Sequence, residues 1–228
     1  VETGLRALAD RAGWAGEDGT SALDATRLAT LMVGYRRDAA TDPAALPTPP
    51  APQRENPAGA GFVAVDSRGS AVACVVTMNN LFGSARFAAT TGVLLAAPRH
   101  PGAASLVPVI VANHNSREVL FAGASAGGVA APAVMAQVLA DVFGGEVSVG
   151  DAIRAPRLIH LGSPDIVVPE PELADSVKAE LAGRGHHLSE PFTLGRVNAI
   201  SCPEGLRTRP DSCRAITDRR GYGMAVGG

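Results

Sequence analysis

Apolar residues at helical spacing follow Ser21-Ala22-Leu23-Asp24. Leu23, Leu28, Leu31, Met32 and Tyr35 fall on one stripe with Arg36-Arg37 at its end, and the pattern predicts a helix that packs through that stripe. The periodicity then stops. Pro43, Pro47, Pro49, Pro50 and Pro52 predict an extended linker that continues through Arg54-Glu55-Asn56-Pro57 to Gly59. Runs at 62–66 and 71–78 flank the turn Asp66-Ser67-Arg68-Gly69 and read as a hairpin. Further strands are expected at 93–95, 107–112 and 119–123, with a turn at Asn113-His114-Asn115-Ser116. Gly127-Gly128 leads into a helix over 130–143 that carries Val134, Met135, Val138, Leu139 and Val142. A helical turn at 149–153 ends near Pro156. An amphipathic helix over 172–184 carries Leu173, Val177 and Leu181, and Gly183 and Gly185 close it. A last pair of strands is expected at 197–201 and 214–217. Strands, then helices, then strands predict a layered α/β or α+β domain.

Composition narrows the classes. A chain of 228 residues with 46% hydrophobic residues can bury a core. A net charge of −2 gives no electrostatic footprint for nucleic acid or an anionic membrane. No apolar run reaches the ~18–20 residues of a membrane span. Val1-Glu2-Thr3-Gly4 has neither an initiator Met nor a basic segment followed by an apolar core, so no signal peptide is read there and the chain is expected to be a fragment or processed piece. Cys74 lies in an apolar strand pattern and is expected in the core. Cys202 and Cys213 form either a disulfide, which would place the chain in an oxidising compartment, or two free thiols. No CxxC or HxxxH spacing supports a metal site. His186-His187 follow Gly185 at a helix end, where a solvated position suffices, and His100 and His114 read as loop residues. Spacing gives His160 no Ser-His-Asp order, and Arg207, Arg209, Arg214, Arg219 and Arg220 read as a surface loop.

Four segments, taken in order, resemble the γ-glutamyltransferase (γ-glutamyl transpeptidase) family of N-terminal nucleophile (Ntn) hydrolases. Residues 62–73 are similar to the hairpin that opens that family's small subunit. Thr77-Met78-Asn79-Asn80-Leu81-Phe82-Gly83-Ser84 is similar to its threonine–apolar–asparagine segment, which ends in Phe-Gly. Ala124-Ser125-Ala126-Gly127-Gly128 resembles its Gly-Ser-Pro-Gly-Gly turn with two changes, and Ala155-Pro156-Arg157-Leu158-Ile159-His160 contains its Ala-Pro-Arg run. The resemblance implies part of a four-layer αββα sandwich. Residues 59–228 would be small-subunit-like, and 1–58 would hold the end of a large-subunit-like region plus the linker. It also implies a missing large subunit or N-terminal region as partner, a small amide or peptide substrate, no cofactor, and a periplasmic or secreted location.

The implied activity is transfer or hydrolysis of a γ-glutamyl or other acyl group from amides such as glutathione. In this class a backbone cut frees the α-amine of a threonine, serine or cysteine. That amine is then the base for its own side chain. Aligning on Asp66 puts this residue at Gly59, with Ala60 as the alternative one register step away, and neither carries a nucleophile. No Ser, Thr or Cys occurs between Thr48 and Ser67. The chain therefore also reads as an inactive homologue or fragment acting as a partner or binding protein. Gly127 and Gly128 correspond to oxyanion donors, Thr77 to the hydroxyl supporting the nucleophile, and Asn79 and Ser105 to substrate-carboxylate contacts. Ala104 replaces a paired serine. The segment Ala96-Ala97-Pro98-Arg99-His100-Pro101 lacks the family's acid for the substrate amine.

Overall fold

The computed structural model describes residues 1–11, 24–48, 50, 59–98 and 106–227. In chain order its elements are α1 (Glu2–Asp10), α2 (Ala25–Leu31), β1 (Gly59–Val65), β2 (Ala71–Thr77), β3 (Val107–Ala112), β4 (Val119–Ala126), α3 (Ala131–Gly144), α4 (Val149–Arg154), β5 (Leu158–His160), β6 (Val167–Pro169), α5 (Asp175–Gly183), β7 (Arg196–Ser201) and β8 (Arg214–Ile216). The chain divides into two compact units. One comprises Val1–Gln53 and Pro156–Thr193, the other Arg54–Ala155 and Leu194–Gly228.

The second unit is layered. β1 and β2 form an antiparallel hairpin. The Asp66 carboxylate closes its turn by accepting the Arg68 and Ser70 N–H groups at 2.9 and 2.8 Å. A second antiparallel sheet has the order β3-β4-β7-β8. β4 lies inside it and is buried almost throughout, because both of its faces are covered. Phe121, Gly123 and Ser125 face α3. Phe121 meets Phe143 edge-on at 6.1 Å, and the Ser125 hydroxyl donates to the Ala131 carbonyl at 2.9 Å. On the other face Ala122, Ala124 and Ala126 are small enough for the hairpin to lie against the sheet. A Cβ at Gly61 would stand 2.8 Å from the Ala124 methyl. Val134, Met135 and Val138 fix the buried face of α3.

Side-chain bonds tie α4 into the unit. Ser148 caps its start by accepting the Asp151 N–H. At its end Arg220 donates to the Ile153 and Ala155 carbonyls at 2.8 and 2.9 Å and pairs with Asp218, which accepts the Val197 N–H. The expected surface arginine at 220 thus has a buried side chain, because three acceptors converge on it. Cys202 and Cys213 are joined as a disulfide between the end of β7 and the start of β8.

In the first unit, α1 has no counterpart among the elements expected from the sequence, and its Arg6 is buried. Arg6 donates to the Leu31 and Val33 carbonyls and to the Thr41 hydroxyl. Glu2 accepts the Thr41 N–H and hydroxyl. Burial alone would raise the Glu2 carboxyl, but those bonds hold it below its usual range. α2 starts at the expected cap, Asp24, but does not pack through its stripe. None of its residues is buried, and Leu28, Met32 and Tyr35 are exposed. Leu23 and the start of that pattern lie outside the described residues, as does most of the proline linker beyond Thr48. The expected strand at 93–95 is reduced to one bridge, Phe87 to Leu94, because that stretch folds back within its own loop. Cys74 is half-buried rather than in the core, since it lies on the hairpin's outward face opposite Phe62. No helix of the described residues is long and apolar enough to cross a membrane.

Candidate functional site

Side chains in a strand alternate between faces, and that alternation separates the two candidate positions. Gly59 and Gly61 face the four-stranded sheet, whereas Ala60 and Phe62 are exposed on the outer face. Position 59 is the inward one. It opens β1 and pairs with Thr77 at the end of β2. A Cβ built on Gly59 would lie 3.4 Å from the Val76 carbonyl oxygen and 3.5 Å from the Ala126 methyl, which are ordinary contacts. A Cβ at 59 therefore fits, and it points at the residue immediately before Gly127-Gly128.

Gly127 and Gly128 lie beyond the last β4–β7 pair, Ala126 with Arg196, and lead through a short 3-10 turn into α3. Their φ values are +125° and +67°, which favour glycine. At Gly127 a Cβ would collide with Gly195, 2.5 Å from its Cα. The glycines thus let the turn rest on the start of β7, while the Ser125–Ala131 bond closes it from the helix side. Backbone amides in such a turn at a helix start can receive the negative oxygen of an acyl-transfer intermediate.

Thr77 leads into the loop over 78–98. Its hydroxyl accepts the Asn79 N–H at 3.0 Å. Asn79 has φ +56°, and its side-chain amide donates to the Ala97 carbonyl at 2.8 Å, with Ala97 N–H bonded to the Met78 carbonyl at 2.9 Å. Asn79 thereby clamps the neck of that loop. Its described flank, Ala96-Ala97-Pro98, carries no acid. Ser105, Ala104 and His100 lie outside the described residues. Among the described residues no group of three His, Cys, Asp or Glu side chains is placed to hold a metal ion.

His160, His186 and His187 belong to the first unit, and His114 is exposed in the second. His160 is buried. Its Nδ1 accepts the Gly162 N–H at 2.8 Å, so the ring proton sits on Nε2, 3.1 Å from Asp165. Burial lowers its pKa, and Asp165 opposes that only in part. His186 is also buried, which corrects the solvated position expected for it. It lies beside Glu2, and burial lowers its pKa too. His187 remains exposed.

Sequence reasoning passed over Gly195, Arg196 and Asn198. Arg196 donates to the Gly59 carbonyl at 3.2 Å, and Asn198 donates to the Gly61 carbonyl at 2.8 Å. Both bonds join residues 137 apart in the chain, so no local pattern announces them.

The protein-family model described as Gamma-glutamyltranspeptidase matches residues 96–228. The glutathione hydrolase 5 proenzyme of Rattus norvegicus is 30% identical over 171 residues, which is 64% of this chain but 30% of that protein. The chain thus spans 30% of the length of this curated relative. A gamma-glutamyltranspeptidase from Pseudomonas nitroreducens, solved with L-DON, aligns with a TM-score of 0.61 at 23% identity. The alignment covers 74% of this chain and 98% of that one. The Bacillus anthracis transpeptidase enzyme CapD aligns with a TM-score of 0.60 at 22% identity, covering 74% and 99%. The mixed α/β fold matches those of these two transpeptidase structures.

Proposed function

The chain belongs to the gamma-glutamyltranspeptidase family, and from that premise we propose that it is a member whose acyl-transfer site persists without its nucleophile. The family reaction would move a γ-glutamyl or other acyl group from an amide such as glutathione onto water or an amine through an acyl-threonine. Residue 59 would supply the hydroxyl and, once cut free, the amine that takes its proton. Gly127 and Gly128 would hold the oxyanion, Thr77 would steady the nucleophile, and Asn79 and Ser105 would meet the substrate. Glycine at 59 can form no acyl bond through a side chain. The chain as it stands therefore neither cuts itself nor turns over an amide, and it acts as a partner or binding protein.

The observation that carries this reading is the match between position 59 and its surroundings. The site there faces Thr77 and Ala126, admits a Cβ without a clash, and holds glycine. The partner inferred is the family's N-terminal, large-subunit region. The outward face of the hairpin supports that assignment: Ala60, Phe62, Val72 and Val76 leave an apolar strip exposed. Covering it with a helical layer would complete the four-layer sandwich.

Intact-mass analysis of the purified chain tests the first half, with a single uncut species expected. Gly59→Thr, with the N-terminal region of a family member supplied, tests the second. A new N-terminus at residue 59 and measurable amide turnover are expected. Self-cleavage of the parent chain, or a well-folded Gly59→Thr variant with neither activity, would overturn the reading.

A further inference from the structure

Residue 59 is held from below as well as from its partner strand. β1 pairs along one edge with β2. Toward the other sheet, its carbonyls at 59 and 61 accept side-chain donors from β7, Arg196 at 3.2 Å and Asn198 at 2.8 Å. Arg196 pairs in register with Ala126, the residue whose methyl would touch a side chain at 59. Its stem is backed by Gly221, where a Cβ would stand 2.9 Å from the Arg196 Cδ. Gly195, one residue earlier, bears on Gly127. The first turn of β7 thus touches both residue 59 and the glycine turn.

We propose that Arg196 is a positioning residue for residue 59: it fixes the carbonyl of that residue beside the Gly127–Gly128 turn, and its charge holds an α-amine freed there in the neutral, basic form. The second half rests on the functional reading above, in which such an amine is the base. The backbone N of a residue lies roughly 3–4 Å from its own carbonyl oxygen, so the guanidinium nitrogen bonded to that oxygen stands within about 7 Å of that amine. A fixed positive charge at this range disfavours a second one. Among the described residues, the other elements around position 59 bring little to oppose it. β2, β4 and the stretch Gly127–Ala131 carry no charged residue on this side. The segment after β8 brings Asp218, Arg219 and Arg220, and Asp218 is bonded to the Val197 N–H and Arg220. Asp66 is at the far end of β1, about 20 Å away along the strand.

The test needs no catalysis. A protease recognition sequence replaces 53–58 and is cut in the folded protein, both pieces are retained, and circular dichroism checks the fold. The Gly59 α-amine is then titrated by carbon NMR. It is expected to titrate about one unit below the ordinary α-amine range of ~7.7–8.0. Arg196→Met should return it to that range, Arg196→Lys should keep it low, and Asn198→Ala, which loosens β1 without removing charge, should leave it low. Equal titration in parent and Arg196→Met overturns the electrostatic role. In the uncut chain, Arg196→Met should speed amide exchange at 59–61 at least about tenfold over the parent, and unchanged exchange overturns the positioning role. Neither readout depends on whether Gly59→Thr restores cleavage, so failure of the acyl-transfer reading is seen separately.

Discussion

Two glycines on one face of β1, two residues apart, have opposite tolerance for a side chain. At 59 a Cβ meets its neighbours at ordinary contact distance. At 61 it would lie 2.8 Å from the Ala124 methyl and 3.1 Å from the Ala124 carbonyl oxygen. Gly59→Thr should therefore leave the melting temperature unchanged or raise it, since threonine suits a strand better than glycine by about 0.5–1 kcal/mol. Gly61→Ala should lower stability by about 1–3 kcal/mol, because the hairpin must lift off the sheet. Thermal unfolding of the two variants decides the matter, and equal losses would mean that position 59 is not the open slot described. The sequence alone left 59 and 60 as alternatives. Strand alternation sets them on opposite faces, which is visible only once the covered face of the hairpin is known.

Most elements that β4 organises were legible, because burial on both faces writes apolar runs into the chain. α3 and α4 were legible too, from helical periodicity. The failures have specific causes. α2 carries a convincing stripe yet buries nothing among the described residues, since a stripe announces a face and not what covers it. Arg220 looked like part of a solvated basic loop, because its acceptors at 153 and 155 are more than sixty residues away. Removing it should be costly. Arg220→Met leaves Asp218 buried without its ion partner and the end of α4 without its donors, a loss of about 3–5 kcal/mol. Arg154→Ala breaks an exposed pair with Asp151 and should cost under about 1 kcal/mol. Urea unfolding midpoints compare the two directly, and similar shifts would contradict the structural role assigned to Arg220.

At the scale of the molecule, acid should weaken the first unit before it acts on carboxylates. His160 and His186 both have pKa values lowered by burial. Below the unfolded value of ~6.5 the unfolded chain binds protons that the folded unit resists, so stability is full above that pH and declines as pH falls through it. The slope reaches at most about 1.4 kcal/mol per pH unit for each histidine. Amide exchange of β5 and β6 should be faster at pH 5.5 than at 7.5 after correction for intrinsic rates, and His160→Gln should flatten that difference. A pH-independent opening free energy in the parent would refute it. This coupling was invisible in the sequence, where His186 read as solvated, because burial is a property of the packed unit and not of the residue's neighbours in the chain. By itself the sequence determined the family, the layered class, the glycine turn and the absence of a hydroxyl at the head of the first strand, all of which are local patterns or residue identities. Only the tertiary structure decided that position 59 points inward and admits a Cβ at ordinary contact distance, that Gly195 and Arg196 bear on that corner, and that the Arg220 side chain and two histidines are buried. Those facts depend on contacts between distant segments, and such contacts exist only once the layers are stacked.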